Sequence, residues 1–515
     1  MSIVVGLFST VSAKEKHTTT SRIVLDSVKN NREFILTQQD FSKENTDYII
    51  KQEFDLQGGC IEVPNNCNLI FRRKGKIKNG HVKFNNTWLK SASFSEIHSL
   101  KGTVSNRVIY ASHFNVLDDT DLLEFLFNHS SPGTCIVLED RLYDINSLKY
   151  CIGGSLYDRA FVMKKGQSDF SIVGNGAVIK DRANKTHISD NLFSLIQFDN
   201  CSNVTIKDLS YIWDFKSDIH PFVHGIIFIR TLGQCSGFNI DVSVLNAGRG
   251  VYCGAFAYNK DAKRGICDSK IIVKSENVGY PLAIERGDNL ELYNYFNVAH
   301  RGTYLAGVTN STVYVEGKDA YSTEVSALLT DTGDINSCEF CDNINLTVVD
   351  TGTGLFKNKA LLSVCQIYPK SFKQFYARDP YVVSNINIHV YTPSSKSTSY
   401  EVFQFTDNAA AGDIINVNID GNLNDEGPSS RLFRFRMLPL GKVKFKGFRN
   451  NVNTIILNSE VPTGFCAEFE DCSNIVFTPQ EAYPINGDIN FINCSFISYD
   501  QLHITNPNIN IFEYK

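Results

Sequence analysis

Long hydrophobic runs and an excess of basic residues are missing from this 515-residue sequence, and amphipathic helices are almost absent. No apolar stretch approaches the roughly 20 residues that a membrane-spanning helix needs. The chain has 50 Lys and Arg against 55 Asp and Glu, and its formal net charge is -5. This balance disfavours a nucleic-acid-binding protein that relies on counterion release. The apolar start, Ile3 to Phe8, is too short for a secretory signal and has no positive flank, so we expect none.

Cysteine is also sparse, with 14 residues in the whole chain, which excludes a disulfide-stapled scaffold. The cysteines recur in one phrase, as in "NCSNVTI" from Asn200, "QCSGFNI" from Gln234 and "DCSNIVF" from Asp471. Cys338 and Cys341 form a C-x-x-C pair with no second ligand pair at zinc spacing. We therefore predict small buried residues stacked at equivalent corners, with no metal and no cofactor.

The phrases belong to an internal repeat of short, Ile- and Val-rich strands. Examples are "NVTIKDL" from Asn203, "GFNIDVSV" from Gly237 and "NINIHVY" from Asn385. Successive strands begin about 20 to 34 residues apart, with one gap near 42, a spacing typical of a solenoid or a many-stranded sandwich. Asn precedes many strands, which indicates an Asn ladder between coils. The sequence therefore predicts an all-β, right-handed parallel β-helix.

A single amphipathic segment, "DDTDLLEFLFN" from Asp118, interrupts this pattern. Asp118 or Asp119 can cap the first N–H groups of a helix over Leu122 to Phe127. A solenoid has an apolar end that needs a lid. We predict a short capping helix that leads into the first main coil.

The stretch from Phe114 to Ile145 resembles the start of the pectate-lyase-like β-helix of phage tailspikes and polysaccharide depolymerases. The Gly-Asp-Gly that usually precedes the Asp-Asp-Thr is replaced by "HFNVLDDT". The resemblance covers about residues 110 to 320 well, and the rest by repeat rhythm. The matching residues are Asp118, Asp119, Thr120, Gly133, Val137, Leu138 and Tyr143.

A second stretch, "DYIIKQEFDLQGGCIEVPNNCNLIF" from Asp47, resembles the leading β-coils of proteins from gut Bacteroidetes and their phages. Together the resemblances imply a virion tail protein, made in the host cytoplasm, that assembles as a homotrimer. Residues 1–45 match neither resemblance, and in a virion fibre an attachment arm would lie at that position. We expect an N-terminal attachment arm at 1–45, leading β-coils at 46–112, the β-helix at 113–430 and C-terminal coils or a cap at 431–515.

Polar residues are densest between residues 211 and 325. Enzymes of this fold act on polysaccharide from the solvent face of central coils, by hydrolysis with paired carboxylates or by elimination with a base and a carboxylate neutraliser. Two Arg beside Glu, Asp, His and Tyr suit an anionic sugar. The candidate catalytic residues are Glu285, Asp288, His300, Arg286, Arg301, Asp214 and Asp218, and the candidate substrate-binding residues are Trp213, Arg249, Tyr252 and Tyr304. Alternatively, the charged residues occupy exposed corners of the coils and form ordinary surface ion pairs. The alternative role of Trp213 is packing.

Two functions follow from this sequence. One is a tailspike or tail-fibre protein that binds, and in the stronger form depolymerises, a host surface polysaccharide. The other is a non-catalytic structural or receptor-binding fibre subunit. A bacterial polysaccharide lyase or hydrolase is a third reading. The expected partners are the polysaccharide, further copies of the chain and other tail proteins, without nucleic acid or a membrane span.

Overall fold

The computed structural model describes residues 16–26, 34–128, 130–151, 159–183, 193–213, 225–230, 234–254, 265–326, 341–351, 360–364, 382–392, 401–405, 413–415, 417–423, 431–435, 442–446, 453–457, 465–477, 487–499 and 509–515. The chain forms two compact units. The first comprises Met1–Tyr150, Ser168–Lys180 and Thr205–Leu209, and the second comprises Cys151–Gln167, Asp181–Val204 and Ser210–Lys515. None of the helices in the described ranges is both long and apolar enough to cross a bilayer.

The described residues are mostly strand. In chain order the first strands are β1 (Ser21–Leu25), β2 (Thr46–Ile50), β3 (Glu53–Asp55), β4 (Cys60–Glu62), β5 (Asn68–Phe71), β6 (Lys76–Lys90), β7 (Phe94–Val104), β8 (Val108–Tyr110), β9 (Phe114–Val116), β10 (Cys135–Val137), β11 (Leu142–Ile145), β12 (Arg159–Lys165), β13 (Ser171–Asp181), β14 (Phe193–Asp199) and β15 (Thr205–Trp213). The α-helix α1 (Asp119–Asn128) lies between β9 and β10, and short 3-10 helices cover Gln38–Asp40, Ala111–His113 and Ser147–Tyr150.

The later strands complete the second unit. They are β16 (Gly225–Arg230), β17 (Gln234–Ser236), β18 (Asn239–Leu245), β19 (Arg249–Gly254), β20 (Gly265–Glu276), β21 (Tyr280–Ser326), β22 (Cys341–Asp350), β23 (Ala360–Val364), β24 (Val382–Thr392), β25 (Glu401–Phe405), β26 (Asp413–Ile415), β27 (Val417–Leu423), β28 (Arg431–Phe435), β29 (Lys442–Lys446), β30 (Asn453–Leu457), β31 (Phe465–Glu470), β32 (Ser473–Phe477), β33 (Gly487–Ile492), β34 (Ser495–Ser498) and β35 (Ile509–Tyr514).

The strands of the second unit pair in parallel with strands one coil later. β18 pairs with β20, β20 with β21, β21 with β22, and β22 with β24. In this register Ile240, Ile271 and Leu292 stack in one inward row and are 0% exposed. Alternate residues of a strand point to opposite faces, so each coil buries its apolar row only against the next coil. The predicted parallel β-helix is confirmed.

Asparagine ladders mark the corners of these coils. The Asn343 side chain donates to Asn310 at 2.8 Å across 33 residues, and the Asn289 side chain donates to Asp268 at 2.7 Å across 21. These residues have φ between 50° and 54°, in the left-handed region that Asn and Asp tolerate better than most residues. The predicted spacing near 42 residues also occurs, since the Asn387 side chain donates to Asn345, 42 residues earlier. The predicted Asn ladder is confirmed.

Two pairs of cysteines stack at equivalent corners. An isolated bridge joins Ser202 to Ser236, which aligns the preceding Cys201 and Cys235, and both thiols are buried. Farther along, Ser473 pairs with Ser495, which aligns Cys472 with Cys494. All four cysteines are free thiols, as the stacked-corner interpretation expects.

The helix α1 has the predicted cap. The Asp118 carboxylate accepts the Thr120 backbone N–H at 2.8 Å. Leu122, Leu123 and Leu126 are buried, at 1%, 0% and 1% exposure. Ion pairs fix the start of the helix within the first unit, because Arg141 binds Asp119 at 2.7 Å. The predicted short helix is confirmed, and its apolar side is packed as a lid requires.

Parallel pairing begins before residue 46. Ser21 to Leu25 align residue by residue with Thr46 to Ile50, and Asn68 in turn aligns with Trp88. Part of the stretch that we assigned to an attachment arm therefore lies in the sheet of the first unit.

Candidate functional site

An aromatic row lies on one face of three consecutive coils in the second unit. β16, β19 and β21 pair in register, which aligns Phe228, Tyr252 and Ala283. Their neighbours Ile227 and Val251 are 1% and 0% exposed and point to the opposite, inward face. The three aligned residues form a buried cluster against which Tyr304 packs from the following part of β21. Parallel stacking therefore builds an aromatic support under a patch of polar side chains.

A tyrosine, a carboxylate and a guanidinium meet on this row. The Tyr252 hydroxyl donates to Glu285 Oε1 at 2.6 Å, and Arg249 Cζ lies 4.4 Å from the centre of the Tyr252 ring. Burial and then the charge of Glu285 raise the pKa of Tyr252 well above its usual range. The phenol therefore stays protonated and donates a charge-assisted hydrogen bond to the carboxylate. Burial lowers the pKa of Arg249, which is 6% exposed.

Gly254 leaves the space that the Tyr252–Glu285 pair occupies. A Cβ on Gly254 would lie 2.8 Å from the Tyr252 ring and 2.9 Å from Glu285 Oε2. Both distances are shorter than real Cβ contacts allow. The absence of a side chain at this position is therefore a condition for the hydrogen bond that joins Tyr252, on the same strand, to Glu285 on the next coil.

A second arginine, Arg301, lies two coils after Arg249. The backbone N–H groups of His300 and Arg301 both donate to the Gly279 carbonyl, at 3.0 Å and 2.9 Å. This register places Arg301 beside Tyr280, with Cζ 5.4 Å from the ring centre, and the His300 ring 6.0 Å from that of Tyr280. Burial and then the charge of Arg301 lower the pKa of His300, so the imidazole is neutral at neutral pH.

This alignment differs from the one we expected from the sequence, in which Glu285 and Arg286 face His300 and Arg301. Val278 bridges to Ala299, 21 residues later, so the coil here advances by more than the 15 residues that separate Glu285 from His300. Glu285 and Arg301 lie in the same patch but not in the same row. The length of the loop between two strands therefore decides which residues align in one row.

The exposure of these side chains separates them into two groups. Tyr252 and Tyr280 are 8% and 6% exposed and, with Arg249, form the support. Glu285, His300, Arg301 and Tyr304 are partly exposed. We call these four partly exposed residues the contact patch.

Arg286 and Asp288 follow Glu285 but do not share its environment. Arg286 is 2% exposed and has φ 70°, a left-handed conformation that is uncommon for a long side chain. Asp288 is exposed at a corner, where it accepts from Thr309 Oγ1 at 2.7 Å and from the Asn310 amide at 2.8 Å. These hydrogen bonds lower the pKa of the Asp288 carboxyl. Its position is that of a rung in the corner ladder.

Trp213 lies in a separate buried network. The indole is 2% exposed and donates to the Ala183 carbonyl at 2.9 Å, and nearby the Tyr211 hydroxyl donates to Asp181 at 3.1 Å. This is the packing arrangement that we gave as the alternative to a sugar platform. Asp214 and Asp218 lie outside the described residues.

Sequence reasoning missed Phe228 and Tyr280, because neither stands in a polar motif. Their signal is the register of β16, β19 and β21, which depends on the lengths of the intervening loops. Within the described ranges, no cluster of three or more His, Cys, Asp or Glu side chains has the arrangement of a metal site.

Comparisons with known proteins found similarity among solved structures. A scan against protein-family models found no match, and neither did a search of the curated proteins. Among solved structures, the chain is similar to a mutant tailspike protein of E. coli bacteriophage HK620 in complex with a hexasaccharide. The identity is 10% and the TM-score is 0.36, over 90% of this chain and 73% of that one.

Proposed function

We propose that this chain is a tailspike or tail-fibre protein of a virion that binds a host surface polysaccharide through the contact patch. The observation that carries the proposal is the grouping of a carboxylate, an imidazole, a guanidinium and a tyrosine, all partly exposed, above buried aromatic rings. Carbohydrate sites combine flat apolar surfaces with a few fixed polar groups, which is what this patch offers. The resemblance of residues 114–145 to the tailspike β-helix supports the same role.

The patch favours an anionic glycan. A guanidinium offers a carboxylate two parallel hydrogen bonds, and Arg301 is the partly exposed arginine of the patch. Glu285 accepts hydrogen bonds from sugar hydroxyls, and Tyr304 supplies a ring edge or face. Arg249 and Tyr252 position Glu285 from below, since both are almost fully buried.

Elimination is the second candidate function, and His300 favours it over hydrolysis. The lowered pKa of His300 keeps the imidazole able to accept a proton, and Arg301 beside it can neutralise a uronate carboxylate. Hydrolysis needs a second carboxylate about 5 to 10 Å from the first. Asp288, the nearest candidate in sequence, is already held by Thr309 and Asn310.

The test is to incubate the purified protein with anionic and neutral capsular polysaccharides while following binding, reducing ends and the ultraviolet absorbance of unsaturated uronates. We expect the protein to bind anionic glycans. Arg301→Gln should weaken this binding, and Asp288→Asn should leave it unchanged. Reducing ends with the absorbance change indicate a lyase, and reducing ends alone indicate a hydrolase. Absence of binding to every glycan overturns the proposal and leaves a structural fibre subunit.

We also propose that the N-terminal stretch 1–45, part of which lies in the sheet of the first unit, attaches the protein to other tail proteins. We propose further that the chain assembles as a homotrimer. The mass of the purified protein in solution tests the second point. A monomer at micromolar concentration would contradict it.

A further inference from the structure

The two stacked cysteine pairs occupy the same kind of corner but differ in exposure. Cys201 and Cys235 are 1% and 0% exposed. Cys472 is 2% exposed, whereas Cys494 is partly exposed. A reagent in solution can therefore reach one sulfur of the second pair and neither sulfur of the first.

The surroundings of Cys494 favour its thiolate. Its Sγ accepts the backbone N–H of Cys472 at 3.4 Å, and the protonated thiol donates to the Phe469 carbonyl at 3.3 Å. The adjacent Cys472 side chain, and then the Cys472 backbone N–H, lower the pKa of Cys494 to about 7. Burial instead raises the pKa of Cys235 to about 11. The thiolate is the nucleophile in sulfur chemistry, so the pairs differ in reactivity as well as in access.

The two sulfurs of the second pair are also placed to bond to each other. Neighbouring strands of a sheet lie about 4.8 Å apart. Disulfides form between Cα atoms that are about 4.4 to 6.8 Å apart. Ser473 pairs directly with Ser495, so Cys472 and Cys494 are neighbours across adjacent coils, and the Cys472 backbone N–H donates to the Cys494 Sγ at 3.4 Å.

We propose that Cys494 and Cys472 form a reactive dithiol that a small-molecule disulfide converts into an intrachain disulfide between two C-terminal coils. Cys494 is the attacking residue, because it is the one that solvent reaches. Cys472 is the resolving residue, because it is buried against the first sulfur.

The reaction proceeds in two balanced exchanges. The Cys494 thiolate attacks one sulfur of oxidised glutathione, which forms a mixed disulfide and releases one glutathione thiolate. The Cys472 thiol then loses its proton to solvent, and its sulfur attacks the Cys494 sulfur. The second glutathione leaves as a thiolate, which solvent protonates. The protein is oxidised by two electrons, and the glutathione disulfide is reduced to two thiols.

The experiment exposes the folded full-length protein to oxidised glutathione at neutral pH, blocks the remaining thiols with iodoacetamide and maps the modified peptides by mass spectrometry. We expect a Cys472–Cys494 linkage with a loss of two thiols per chain, while Cys201 and Cys235 stay reduced until the protein is unfolded. Cys60 is exposed. It serves as the internal reference for an accessible thiol and is expected to give only a mixed disulfide.

Two serine variants separate the roles. Cys494→Ser should abolish the reaction at both positions, and Cys472→Ser should trap a glutathione mixed disulfide on Cys494. Cys235→Ser is the matched control and should leave the linkage unchanged. A mixed disulfide that persists on Cys494 in the unmodified sequence, a linkage between other cysteines, or no faster reaction at Cys494 than at Cys60 would each overturn the proposal.

Discussion

Glu285 and Asp288 lie three positions apart on one strand, yet the two carboxylates have different surroundings. Glu285 is partly buried and accepts from the phenol of Tyr252. Asp288 is exposed and accepts from Thr309 and Asn310. The hydrogen bond from Tyr252 to Glu285 joins neighbouring coils on one face, whereas the hydrogen bonds to Asp288 join neighbouring coils at a corner. The row in which a polar residue stacks therefore determines its hydrogen-bond partners and its exposure.

The largest expected difference between the two carboxylates is in glycan binding. Glu285→Gln keeps the shape but removes the charge that Tyr252 and a sugar hydroxyl bind. A hydrogen bond to a charged group contributes about 1.5–3 kcal/mol, so affinity should fall by about 10- to 100-fold. Asp288→Asn is the matched control and should bind as the unchanged protein does. Equal losses in both, measured by glycan titration, would show that the patch is misassigned.

The space at Gly254 gives the next largest effect. Gly254→Ala would push its Cβ into the Tyr252 ring and Glu285. We expect a loss of about 1–3 kcal/mol in the free energy of unfolding, as for overpacking, together with weaker glycan binding.

Gly133→Ala is the control for that substitution. Gly133 has φ 78° with nothing within 4 Å of an added Cβ, so alanine there adds backbone strain without a clash. It should lower the unfolding midpoint and leave glycan binding intact. Weaker binding in both variants would mean that general destabilisation, not the Tyr252–Glu285 pair, is responsible.

The corner ladder can be broken without touching the contact patch. Asn310 has φ 50°, donates to Asp288 and accepts from Asn343. Asn310→Ala should cost about 1–2 kcal/mol of unfolding free energy through left-handed strain, with added loss from the ladder. Asn310→Gly loses the same hydrogen bonds but has no left-handed strain, so it should lower the free energy of unfolding by less than Asn310→Ala does. Denaturant unfolding of both variants measures the two contributions, and equal costs would contradict the strain argument.

The smallest effect is a pH dependence at His300. Its pKa in the folded protein lies below 6.5, the value for the unfolded chain, because the site is partly buried and adjoins Arg301. The unfolded state therefore binds the proton more readily, and the stability present above pH 6.5 is lost as the pH falls through the folded value.

His113 provides the comparison for this effect, since burial lowers its pKa as well but it lies in the first unit. Unfolding midpoints between pH 7.5 and pH 5 should decline less steeply in both His300→Gln and His113→Gln. Only His300→Gln should also flatten the pH profile of glycan binding. A flattened binding profile in His113→Gln would mean that the profile reports stability alone.

Much of the fold could be predicted because it rests on local patterns. Alternating Ile and Val, with Asn or Asp before each strand, predicts stacked strands with left-handed corners, and Asp118 predicts the start of α1. The patch was predicted only in part. Glu285, His300 and Arg301 stand in visibly polar motifs, but Phe228 and Tyr280 do not. Arg249 stands in a polar motif as well, yet its side chain is 6% exposed, since the type of a residue does not reveal what covers it.

The sequence by itself determined the strand content, the corner residues, the cysteine phrases and the capping helix, because each depends on interactions within a few residues. Only the tertiary structure decided which residues lie side by side. Coils of 21, 33 and 42 residues occur within the same β-helix. A change of loop length shifts which residue joins a row without changing the strand pattern. Tyr252 therefore meets Glu285, and Cys472 meets Cys494, through register that only the folded chain fixes.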